Sequence, residues 1–129
     1  MRNAREEYQY AVLRAVPDVE RGEAVNVGVV VFSRRHDYLG LKTELDESRL
    51  RALHPGLDVD ALRDHLAGLN AVAVGDTAAG GAVAQLPPSE RFGWLTAASS
   101  TIVQPSPIHT GLCENPEALL ERLFARLVA

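Results

Sequence analysis

The ten residues AVNVGVVVFS, Ala24 to Ser33, decide the fold. They are apolar almost throughout and rich in valine, which suits a central strand covered on both sides. Strict alternation puts Val25, Val27, Val29 and Val31 on one face, and Asn26, Gly28, Val30 and Phe32 on the other. Upstream, Tyr8 to Val16 alternates in the same way, with Tyr8, Tyr10, Val12 and Val16 opposite Gln9, Ala11, Leu13 and Ala15. Arg14 adds a charge to the tyrosine row. Pro17-Asp18 stops that strand, and Val19 to Glu23 is a polar connection in which Gly22 can take a positive φ. Downstream, Arg34-Arg35-His36-Asp37 is a polar turn, and Tyr38 to Leu45 reads as a third strand. Strands joined by such short turns predict an antiparallel meander.

Beyond Leu45 the period changes. Asp46 can cap a helix carrying Leu50 and Leu53 that ends near Pro55-Gly56, and Asp58 or Asp60 opens another with Leu62, Leu66 and Leu69. The Ala/Gly/Val-rich run from Val72 to Ala84 reads as a flexible loop, with a short strand at Val72 to Val74 as the alternative. Pro87-Pro88-Ser89-Glu90 leads into a short helix with Phe92, Trp94 and Leu95. Thr101 to Gln104 reads as a fourth strand closed by Pro105 and Pro107. Asn115 caps a last helix with Pro116 at its first position, and Leu119, Leu120, Leu123, Phe124, Leu127 and Val128 form one apolar stripe. The expectation is an α+β domain spanning 1–129. An antiparallel sheet of three or four strands carries about three helices, packed mainly on one face.

Composition narrows the function. The 129 residues carry 13 basic and 17 acidic side chains, a net charge of -4, which makes a duplex nucleic acid an unlikely partner for bulk charge. Twelve of the basic residues are arginine and one is Lys42, a bias that reads as a GC-rich coding sequence. No apolar run is long enough to span a bilayer. The charged start, MRNAREEYQY, lacks a secretion signal's apolar stretch, and one cysteine, Cys113, makes no disulfide framework, so a cytoplasmic protein is expected. There is no phosphate-binding loop, dinucleotide fingerprint or nucleophile elbow. The four histidines have no metal-ligand spacing, so neither cofactor nor metal is expected.

The richest polar stretch is Arg14 to Gly28. Arg14, Arg21, Glu23 and Asn26 gather around one hairpin turn, and Gly28 leaves room beside the sheet. One reading is an anion or nucleotide pocket, with Glu23 or His109 as acid or base. The simpler one is a turn held by an Arg–Glu pair, with Asn26 bonding a neighbouring loop. Ser99-Ser100-Thr101, Ser106 and His109-Thr110-Gly111 form a second polar cluster, where turn and strand-end roles outweigh a serine nucleophile. Phe92 and Trp94 are candidates for a partner surface.

The run YQYAVLRAVPDVERGEAVNVGVVVF, Tyr8 to Phe32, resembles the N-terminal signature of the DUF3037 family of small bacterial proteins. TIVQPSPIHTG and NPEALLERLFARLV are similar to that family's C-terminal half. The resemblance implies no established activity. It does imply an accessory role beside a HipA-like kinase, so a non-catalytic partner-binding module is the first expectation and a small enzyme or anion-binding domain the second. A weakly covered sheet edge also points to a homodimer.

Overall fold

The computed structural model describes residues 4–97 and 102–129. Three strands form the meander: β1 (Glu6–Ala15), β2 (Val25–Ser33) and β3 (Tyr38–Thr43). Two short strands complete the sheet, β4 (Val103–Pro105) and β5 (His109–Cys113), and both pair antiparallel with β1 on the side away from β2. The sheet is therefore five-stranded and antiparallel in an α+β fold. The fifth strand arises where the sequence suggested turn residues. His109-Thr110-Gly111 pairs with Tyr10, Gln9 and Tyr8 instead of ending the chain's sheet.

β4 and β5 are two halves of one edge, interrupted around Pro107, which has no N–H for a ladder. Ser106 splices the break. Its N–H donates to the Val12 carbonyl at 2.7 Å, and its hydroxyl accepts from the Val12 N–H at 2.8 Å. The side chain thus stands in where a strand carbonyl would otherwise be, keeping Val12, which is largely buried, satisfied. Ser99, Ser100 and Thr101 of the second polar cluster lie outside the described residues.

The helices are α1 (Glu47–Leu53), α2 (Val59–Val74), α3 (Thr77–Gly80), α4 (Pro88–Leu95) and α5 (Pro116–Leu127), with a 3-10 turn at Gly81–Gln85. Asp46, Asp58 and Asn115 cap α1, α2 and α5, each accepting from a backbone N–H of the first turn. One core packs Ala11, Leu13, Val30 and Phe32 of the sheet against Leu50, Leu62, Leu66 and Phe92. On the opposite face, Val29 and Val31 pack against Leu119, Leu120 and Phe124 of α5. Most helices lie on one face, as the sequence implied, but α5 covers the second by itself.

Two expectations change. Val72 to Ala84 is not a loop: α2 runs on to Val74, Gly75 closes it at φ 77°, and Asp76 caps α3. Arg91 holds this segment, donating to the carbonyls of Val72, Ala73 and Leu86 at 2.8–3.0 Å. The composition resembled a linker because small residues permit close packing. A Cβ on Gly80 would lie 3.2 Å from the α2 backbone at Ala71 and Val72.

The second change concerns β2. Leu13 pairs with Gly28 and Arg14 with Asn26, so Val27 is an extra residue, a β-bulge. The bulge breaks strict alternation. Val27 joins Val30 and Phe32 in the larger core, with Val25 packed against it, while Val29 and Val31 face α5. Asn26 is placed on the α5 side and Gly28 on the other.

Candidate functional site

The hairpin residues separate into two small groups. Arg21 and Glu23 form an ion pair at 2.6 Å on the turn, both well exposed. The Glu23 carboxylate accepts from the Arg21 guanidinium and raises its already high pKa. Such a pair contributes little to stability in water. Arg14 and Asn26 face each other across the β1–β2 ladder. Asn26 does not reach a ligand: its Nδ2 donates to the Leu127 carbonyl at 2.9 Å, satisfying one of the orphan carbonyls at the end of α5. The space expected beside Gly28 is filled by β3, since a Cβ there would lie 2.9 Å from Thr43 Cγ2 and 3.1 Å from the Lys42 carbonyl.

Arg14 is different. It is half-buried, and its side chain has no hydrogen bond or ion pair among the described residues. It lines a cleft of about 190 Å³ with Val16, Val19, Gly22, Ala24, Gln104 and Pro105. Gln104 sits opposite it across the β1–β4 ladder.

His109 pairs with Tyr10, four residues before Arg14 on β1, so about 13 Å separates the two positions along the strand. The imidazole stacks on the Tyr10 ring with centroids 5.0 Å apart, and Tyr8 continues the row at 6.2 Å. Arg14, Arg21, Glu23, Asn26 and His109 therefore do not converge on one substrate position. His109 also has no carboxylate hydrogen-bonded to it among the described residues.

Two further nucleophile candidates, Ser106 and Cys113, are engaged or shielded. Ser106 is bound to the main chain. Cys113 is buried, and burial pushes its thiol pKa up, against a lesser lowering by Arg122. His36 Nε2–H donates to the Cys113 carbonyl at 3.0 Å, tying the β2–β3 turn to the end of β5. Among the described residues, no three His, Cys, Asp or Glu side chains are grouped to hold a metal ion.

The two partner-surface candidates part company. Phe92 is buried and stacks on Phe32 at 5.4 Å, so it belongs to the core and is unavailable to a partner. Trp94, two residues along the same helix, is 47% exposed. It overhangs a groove of about 290 Å³ between α2 and α4, with His65, Gly68, Leu69 and Val72 among its walls. Gly68 is notable because a Cβ there would meet nothing within 4 Å. A glycine inside a helix costs roughly 1 kcal/mol relative to alanine, and no packing constraint requires it here.

Sequence reading missed a groove of about 500 Å³ at the other end of the sheet. Glu6, Glu7, Gln9, Phe32, Arg34, Arg35 and Leu112 line it. The arginine pair was visible as a polar turn, but its neighbours become neighbours only once β5 has paired with β1.

The chain matches the family model described as "Protein of unknown function (DUF3037)" over residues 10–128, and it belongs to that family. No curated protein and no solved structure matches it. Among the described residues no helix is long and apolar enough to cross a membrane.

Proposed function

We propose that this DUF3037 chain is a single-domain, cytoplasmic, non-catalytic accessory module that binds a protein partner through the Trp94 groove. The observation that carries the reading is Trp94 itself, a half-exposed indole lining a groove that also contains the helix-interior Gly68. Tryptophan is among the residue types that dominate binding energy at protein interfaces. The scattered polar candidates support the non-catalytic part, because general acid–base and nucleophilic chemistry need groups within hydrogen-bond reach of one reacting atom. The first partner to test is the HipA-like kinase that the family resemblance implies. In a titration of purified chain with that kinase, Trp94→Ala should weaken binding at least about tenfold, as expected for a hot spot. Kinase that ignores the wild-type chain, or binds Trp94→Ala equally well, overturns the reading.

One observation favours a second reading, an anion site at Arg14. A half-buried guanidinium without a partner among the described residues, at the wall of a small cleft, is suited to a carboxylate or phosphate. Inorganic phosphate should then raise the melting temperature of the wild type but not of Arg14→Ala. Equal behaviour of the two proteins removes it.

A further inference from the structure

Among the described residues, β5 pairs with β1 alone, and its outer side carries no strand. On β1 the Val12 carbonyl accepts from Ser106 on the β4–β5 side, so the even-numbered residues of β1 direct their backbone groups toward that edge. Tyr10–His109, Tyr8–Gly111 and Glu6–Cys113 are consequently the hydrogen-bonded pairs, and Gln9–Thr110 and Glu7–Leu112 are the non-bonded ones. Thr110 and Leu112 therefore turn both their N–H and C=O groups away from β1, toward an outer side where no described strand pairs.

The usual protections of such an edge are missing. Residues 109–113, HTGLC, contain no lysine, arginine, carboxylate or proline. Among the described residues no helix packs extensively on β5. Two large apolar side chains stay in water along it, Leu112 at 57% and Ile108 at 45% exposure.

We propose that the occupant of this edge is a second copy of the same chain, with β5 pairing antiparallel to the partner's β5 about a two-fold axis at Gly111. The register follows from the backbone groups. Thr110 then faces the partner's Leu112, and Leu112 faces the partner's Thr110. Both outward N–H and both outward C=O groups of each chain find partners. The same two-fold sets Leu112 diagonal to the partner's Leu112 and to the partner's Ile108, close enough for contact across a ladder. The exposed apolar residues of both copies thus meet in one cluster. Because the strand is uncharged, the symmetry places no like charges directly opposite each other. An isologous contact of this kind closes at two subunits. The inference is independent of the Trp94 groove, which lies between α2 and α4.

Size-exclusion chromatography with light scattering on the full chain tests it. The wild type should scatter as two chains at high micromolar concentration and dissociate on dilution. Thr110→Pro is the discriminating variant: the Thr110 N–H is not used by β1, so proline removes an outward donor and blocks approach while sparing the internal ladder. Leu112→Lys is a second variant that leaves the backbone alone. Each should be monomeric with an unchanged far-ultraviolet circular dichroism spectrum. Amide exchange adds a measurement on the unaltered protein, with Thr110 and Leu112 protected in the dimer and exposed on dilution. A wild type that stays monomeric overturns the proposal. So does a dimer that survives Leu112→Lys undiminished, or one lost only on Trp94→Ala.

Discussion

The sheet has two edges, and they are finished in opposite ways. β3 is held between helices on both faces, with α2 and α4 on one and α5 on the other. Lys42 reaches from β3 to Glu121 of α5 at 2.5 Å and lies 4.8 Å from the centre of the Phe124 ring. That charge, together with the flanking helices, discourages another strand from docking. Among the described residues β5 packs extensively on β1 only, ends a row of stacked rings and leaves Leu112 in water. The difference teaches that an edge strand's sequence matters less than what is stacked above and below it. β3 and β5 are both short and both carry a central glycine, yet one is enclosed and the other is free to pair.

The glycines offer the sharpest way to break this comparison. Each is overlaid by a tyrosine ring from the same face: Tyr38 lies against Gly40 and Tyr8 against Gly111, so a Cβ at either position would meet the ring. Tyr38 lies beside Glu117 and Glu121 of α5, whereas Tyr8 stacks on Tyr10 at the edge that carries β5. Gly40→Ala should therefore cost about 1–3 kcal/mol, the usual range for forced overpacking. Gly111→Ala should cost less than about 1 kcal/mol at a dilution where the edge is unpaired. Denaturant unfolding of the two variants measures both. Equal losses would mean that the two edges are equally constrained, and the contrast would fail.

A smaller effect concerns the same tyrosine on the enclosed edge. Burial, then the neighbouring Glu117 and Glu121 carboxylates, pushes the Tyr38 phenol above its ordinary range. The folded chain thus holds this proton more tightly than the unfolded chain does. Its contribution to stability is fully present below the unfolded tyrosine's pKa and is lost as pH rises through the raised folded value. Unfolding free energy followed by urea titration at increasing alkaline pH should fall across that window. Tyr38→Phe should flatten the fall, and an identical slope in both proteins would separate Tyr38 from it.

Much of this was legible in the chain. The valine run, the caps at Asp46, Asp58 and Asn115, and the leucine spacing are local signals, and each produced the expected element. Face assignments in β2 failed at Val25, Asn26 and Val27, because the bulge at Val27 depends on how β1 and β2 align rather than on either strand alone. The polar hairpin was correctly located, but its members' roles were not legible. Asn26 finds its partner 101 positions away, at the end of α5. Phe92 and Trp94 are both aromatic residues of α4, and only packing decides that one fills the core and the other overhangs a groove.

By itself the sequence determined what short-range chemistry controls: an α+β chain, a meander led by valines, helices started by aspartate or asparagine, and a charge unsuited to duplex nucleic acid. Hydrophobic period and capping are properties of neighbouring residues, so they can be read in one dimension. Tertiary structure alone decided that residues 109–113 become a strand, that Gly28 gives its space to β3, that Arg14 remains without a partner among the described residues, and that one edge is covered while the other stays open. These outcomes depend on which surfaces meet after the chain has turned back on itself. Burial and backbone pairing between distant segments set them, and no local pattern encodes either.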